Sequence, residues 1–168
     1  LQWEYARSAL KHGLEERARI GVNPFKLGLI GSTDAHTSLA TADESNFWGK
    51  MTSMEPGPER FDAAVFENPE AEIRVMPWYF VASGYASVWA QENSRAALFD
   101  AMRRKEVYAT TGPRITLRFF GGWNFEAEDV YRPDAVRLGY REGVPMGSDF
   151  PARSERGVPT FLVSALKD

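Results

Sequence analysis

Asp34 and His36 stand two residues apart at the end of the run Phe25-Lys26-Leu27-Gly28-Leu29-Ile30-Gly31-Ser32-Thr33, and this pairing is the chain's strongest chemical signal. In near-extended backbone, side chains at i and i+2 point to one side. A carboxylate oxygen and an imidazole nitrogen then converge on one ion while Ala35 points away. Mixed oxygen and nitrogen donors of this kind suit zinc, manganese or iron better than calcium. The plainer reading makes Thr33 or Asp34 the cap of a helix starting near Ala35, with His36 on its first turn. Further along, Thr110-Thr111-Gly112-Pro113-Arg114 is a small-residue turn whose amides, hydroxyls and guanidinium suit a phosphate or carboxylate oxygen. Thr111 and Arg114 are its binding groups. The alternative is a helix-to-strand turn in which Arg114 pairs a structural carboxylate. Phe47 and Trp48 follow the ligand pair closely and either wall a substrate pocket or pack in the core.

The other titratable groups add little. The chain holds two histidines and no cysteine, which excludes disulfides and thiol catalysis and leaves nitrogen ligands scarce. A catalytic zinc needs about three protein ligands and an open position, so Asp34 and His36 alone leave a site short. His12 lies among Lys11, Glu15, Glu16 and Arg17 in a solvated helical setting that argues against ligation. Glu92 is a weak further contributor, and Asp149 in Pro145-Met146-Gly147-Ser148-Asp149 reads as a turn acid. With 20 basic and 23 acidic residues the net charge is only -3, too small a field to hold a nucleic-acid backbone or an anionic membrane. No apolar run approaches the ~20 residues of a bilayer span. A hydrophobic content of 43% in 168 residues supports a folded, soluble piece in the cytoplasm or the periplasm, with composition silent on which.

The elements that must position these groups follow from periodicity. Trp3, Ala6, Leu10, Leu14 and Ala18 recur at three- and four-residue steps, which predicts an amphipathic helix over 1–20 stopped by Gly21 and Pro24. Helix, turn, apolar strand and ligand loop is the rhythm of an α/β barrel, where functional groups gather at strand ends. Patterning weakens from Thr37 to Pro77, with a short helix over 59–66, and long irregular stretches of this kind commonly serve as lids. Asn93 or Ser94 caps a helix over 95–105 whose buried face carries Leu98, Ala101 and Met102, and whose basic end suits the helix dipole. Beyond Gly112 the pattern alternates. Ile115, Leu117 and Phe119 predict a strand broken at Gly121-Gly122, with further strands over 136–140 and 160–165, together an antiparallel sheet or incomplete sandwich.

Three stretches also carry a resemblance: Val22-Asn23-Pro24-Phe25-Lys26, Gly31-Ser32-Thr33-Asp34-Ala35-His36-Thr37 and Tyr108-Ala109-Thr110-Thr111-Gly112-Pro113-Arg114-Ile115. Together they resemble DUF3604, a bacterial family of unknown function, over most of the chain up to Phe161-Leu162-Val163. That family is similar to the PHP (polymerase and histidinol phosphatase) superfamily of metal-dependent phosphoesterases and related hydrolases. The resemblance implies an α/β class, with 1–112 the C-terminal portion of a PHP-like α/β barrel, a lid-like insertion around 44–77, and 113–168 the start of an antiparallel β-rich segment. It also implies that Asp34 and His36 form the last Asp-x-His metal motif, holding a divalent transition metal (Zn, Mn or Fe). The implied substrate is a small molecule, a phosphate ester, with Arg114 stabilising developing charge. The early His-x-His pair and the further histidines of that pattern are absent. The resemblance therefore implies a fragment, inactive by itself, whose partner is a missing N-terminal part of the same protein. The alternative is a non-catalytic binding or oligomerisation module on the sheet after Gly112, supported by the short ligand set and by five Trp and 11 Phe.

Overall fold

A computed structural model describes residues 5–39, 45, 49–51, 57–80, 82–152 and 157–168. It is a mixed α/β structure with small antiparallel sheets, and no barrel closes among the described residues. Helix α1 (Ala6–Ile20) ends at Gly21, whose φ of 81° lets its amide donate to the Arg17 carbonyl. Strands β1 (Phe66–Asn68) and β2 (Ile73–Val75) form one hairpin. Strands β3 (Tyr85–Val88) and β4 (Val107–Thr110) pair across helix α2 (Arg95–Arg103). Strand β5 (Thr116–Gly122) is the centre of a three-stranded sheet, flanked by β6 (Gly143–Pro145) and β7 (Thr160–Leu166), with helix α3 (Ala135–Glu142) leading directly into β6. No helix among the described residues is long and apolar enough to cross a membrane.

The core sits under this last sheet. Phe120, Phe125, Leu138 and Leu162 form its buried cluster. The register places Phe120 opposite Leu162 and Phe119 opposite Val163, so alternate residues divide between two faces. One face, with Phe120 and Leu162, is covered by α3. The other keeps Phe119, Val163 and Phe161 in contact with water. Gly139 explains how close α3 comes: a Cβ there would lie 2.5 Å from the Phe120 ring, so only glycine lets the helix seat on it.

Two elements bind this sheet to the hairpin before it. The Tyr108 hydroxyl donates to the Ile115 carbonyl at 2.8 Å and accepts from the Leu117 amide at 3.2 Å, while the Trp89 indole donates to the Leu117 carbonyl at 2.8 Å. At the start of α2, the Ser94 hydroxyl accepts from the Ala97 amide, as its cap position predicts. The buried face of α2 centres on Ala101, with Met102 left largely exposed.

Several expectations need correction. The run 25–30 joins no sheet: it lies beside β4, with Gly28 against Lys105 and Val107 and Gly31 against the Tyr85 and Thr110 carbonyls. Leu27, Leu29 and Ile30 are more than half exposed, so it is not the buried barrel strand that its apolarity suggested. The stripe of α1 likewise leaves Leu10 and Leu14 exposed, and Trp3 lies outside the described residues. Residues 136–140 are helical because Arg132-Pro133-Asp134 starts a helix and Leu138 and Gly139 then fall side by side on Phe120. Gly121 and Gly122 continue β5 instead of breaking it, since Phe150 and Phe125 occupy the space that their side chains would need. The stretch 59–66 holds only a 3₁₀ turn (Pro58–Phe61) and the start of β1.

Gly139→Ala is expected to cost about 1–3 kcal/mol of unfolding free energy through overpacking. Val136→Ala, on an exposed part of the same helix, should stay within about 1 kcal/mol. Denaturant melts of the two variants check the seating of α3, and equal losses would contradict it.

Candidate functional site

Asp34 and His36 fall in a loop between the 25–31 run and Lys50. The Thr33 side chain is buried, its hydroxyl accepting from the Ala35 amide at 3.3 Å and its carbonyl from the Ser83 amide at 3.2 Å. Asp34 follows with a φ of 54°, so the backbone is left-handed there, and the pair does not share a side by strand alternation. Instead the imidazole folds back onto the Asp34 main chain. His36 Nδ1 lies 2.9 Å from the Asp34 carbonyl, which can only accept, so Nδ1 carries the proton and Nε2 keeps its lone pair in the neutral ring.

Lys50 organises this loop from the far side. Its carbonyl accepts from the His36 amide at 2.8 Å, and its Nζ lies 3.0 Å from Asp34 Oδ2 and donates to Ser83 Oγ at 3.1 Å. The Lys50 side chain is nearly buried, whereas the Asp34 carboxylate remains more than half exposed. Hydrogen bonding to Lys50, then its charge, and last the nearby His36, hold the Asp34 carboxyl below the usual carboxylate range. Lys50 and Ser83 carried no sequence signal. Lys50 follows a glycine in an irregular stretch, and Ser83 lies in an unpatterned loop.

The turn Thr110-Thr111-Gly112-Pro113-Arg114 lies close by. Gly84, next to Ser83, packs its α-carbon against the Thr110 carbonyl and the Thr111 backbone, with no room for a side chain. Thr111 is exposed, and Gly112 adopts a φ of 126°. The Arg114 amide donates to Asp168 Oδ2 at 2.8 Å, and its guanidinium lies 6.0 Å from the Tyr85 ring centroid. Trp48 and Phe47 lie outside the described residues. His12 pairs with Glu15 at 2.6 Å, and Asp149 pairs with Lys26.

As metal donors, Asp34 and His36 fit in kind and fall short in number. No group of three or more His, Cys, Asp or Glu side chains among the described residues could hold an ion. The Lys50 ammonium also occupies one oxygen of the carboxylate that a metal would share.

A family model described as a protein of unknown function, DUF3604, matches residues 1–168, and the chain belongs to that family. No curated protein and no solved structure matches it.

The Asp34–Lys50 pair makes a pH prediction. The folded pKa of Asp34 lies below its unfolded value near 3.9, so the pair's stabilisation is fully present above about pH 4 and fades as pH falls through the lower folded pKa. In Lys50→Met the Asp34 carboxyl should titrate at higher pH, read from its 13C resonance. An unchanged midpoint would remove Lys50 as the cause.

Proposed function

We propose that the chain is part of a metal-dependent hydrolase, a phosphoesterase related to the PHP superfamily, with Asp34 and His36 among the ligands of a divalent transition ion. The observation that carries this reading is His36 itself. Its Nδ1–H is tied to a backbone carbonyl, the arrangement that orients a ligating imidazole and leaves Nε2 for a cation, beside an exposed carboxylate. The remaining ligands come, in this reading, from outside the described residues, in a further segment of the same polypeptide. When bound, zinc, manganese or iron would lower the pKa of water and polarise a phosphoryl oxygen.

This chain's own residues do the rest. Lys50 holds the Asp34 carboxylate and the His36 amide in one loop, so a single residue sets the spacing of both donors. Arg114 and the Thr111 hydroxyl, on the turn that reaches this loop through Ser83 and Gly84, bind the ester's non-bridging oxygens and offset the charge that develops on them.

A second reading, a binding or oligomerisation module, is favoured by the water-facing side of the three-stranded sheet, where Phe119 stacks on Phe161 at 5.4 Å beside Val163. The test is the full-length polypeptide beside its Asp34→Ala and His36→Ala variants, with metal content measured and turnover followed on phosphomonoesters and phosphodiesters. Both variants should lose bound metal and at least about a hundredfold in turnover. Equal metal content in all three proteins sinks the ligand assignment, and concentration-dependent association in the same preparations would then favour the module.

A further inference from the structure

A cavity of about 600 Å³ lies between α2, the end of β3, β5 and α3, and shares no lining residue with the Asp34 loop. We propose that it is a binding site for a small aryl or alkyl monocarboxylate, received by the Arg118 guanidinium. Its walls include Trp89, Gln91, Arg104, Glu106, Arg118 and Tyr140.

The receiving group is held in place. The Arg118 guanidinium carbon sits 3.1 Å from the Trp89 ring centroid, and Nη1 donates to the Tyr140 hydroxyl at 3.2 Å, so the plane of the fork is set before a ligand arrives. Tyr140 in turn donates to Glu106 Oε1, and Arg104 Nη2 lies 3.3 Å from Glu106 Oε2. Glu106 is 5% exposed, and its main chain is anchored by bonds to the Ala101 carbonyl and the Trp89 amide. A buried carboxylate with both oxygens engaged by Tyr140 and Arg104 leaves Arg118 with donors in excess of the acceptors around it.

The same walls select the ligand. A carboxylate matches the planar fork with two parallel bonds and adds one negative charge. A phosphate dianion would bring a second charge toward Glu106 in the wall and Asp100 at the exposed rim, and is disfavoured. Ala90, Ala97 and the indole supply apolar surface for a hydrocarbon or ring body, and the volume lies within the range of small-molecule pockets. Glu106 acts as a positioning residue: it fixes Tyr140, which fixes Arg118.

The test titrates benzoate, benzamide and inorganic phosphate into the 15N-labelled protein, following the Trp89 indole resonance. Benzoate should shift it saturably, with benzamide and phosphate at least about tenfold weaker. Arg118→Lys keeps the charge but loses the fork, and should weaken benzoate about tenfold. Ala97→Phe fills the cavity from α2 and leaves Arg118 itself unchanged, and should abolish the shift, so the proposal stays testable if the Lys variant fails to fold. Equal affinity for benzoate and benzamide, a saturable shift that survives Ala97→Phe, or no saturable benzoate shift overturns the site. None of these outcomes depends on whether Asp34 and His36 hold metal.

Discussion

The seating of Phe120 beneath a helix that has no side chain at residue 139 is the constraint on which the C-terminal half of this molecule depends. Because the ring meets the α3 backbone directly, α3 lies flat on β5, Leu138 and Leu162 close around the ring, and the chain leaves the helix straight into β6. Tyr140 follows from the same seating. Its ring packs edge-on against Phe120 with centroids 5.0 Å apart, which carries its hydroxyl out to Glu106 and Arg118. One hydrophobic contact thus places a polar network.

Glu106 joins the two halves electrostatically. It sits where α2 gives way to β4, held by main-chain bonds on both sides, and its carboxylate reaches across to a residue of α3. Burying a carboxylate is costly unless each oxygen has a donor, and here a phenol and a guanidinium supply them. The uncharged joints beside it, Tyr108 on Ile115 and Leu117 and Trp89 on Leu117, keep the hairpin and the sheet in one arrangement.

The Asp34 loop is built differently, around a nearly buried ammonium instead of a hydrophobic contact. Lys50 bonds the Asp34 carboxylate, the His36 main-chain amide and Ser83, and so ties the loop to the neighbouring hairpin, while Asp34 and His36 stay at the surface. A preformed cation beside an exposed carboxylate has two consequences. It holds the acid charged, and it sets a competitor at the place where a metal would bind.

Local patterning made part of this legible. The Gly21 stop of α1, the Ser94 cap of α2, the alternation in β5 and the apolar run of β7 are each set by neighbours a few residues away, and the structure keeps them. The Asp-x-His pair and the Thr111 to Arg114 turn were visible as residue types. Their geometry was not, because a left-handed Asp34 and a lysine sixteen positions later decide where the donors sit. The run 25–30 reads as a strand on apolarity alone, yet it pairs with no strand, and Leu27, Leu29 and Ile30 stay more than half exposed. Residues 136–140 fit both the strand and the helix period over so short a span, and the Phe120 ring chose the helix. The sequence by itself determined the short-range elements and the types of the reactive groups. Tertiary structure decided which faces were covered and which charges met, since Glu106, Tyr140 and Arg118 lie 12 to 34 residues apart along the chain and become neighbours only through packing.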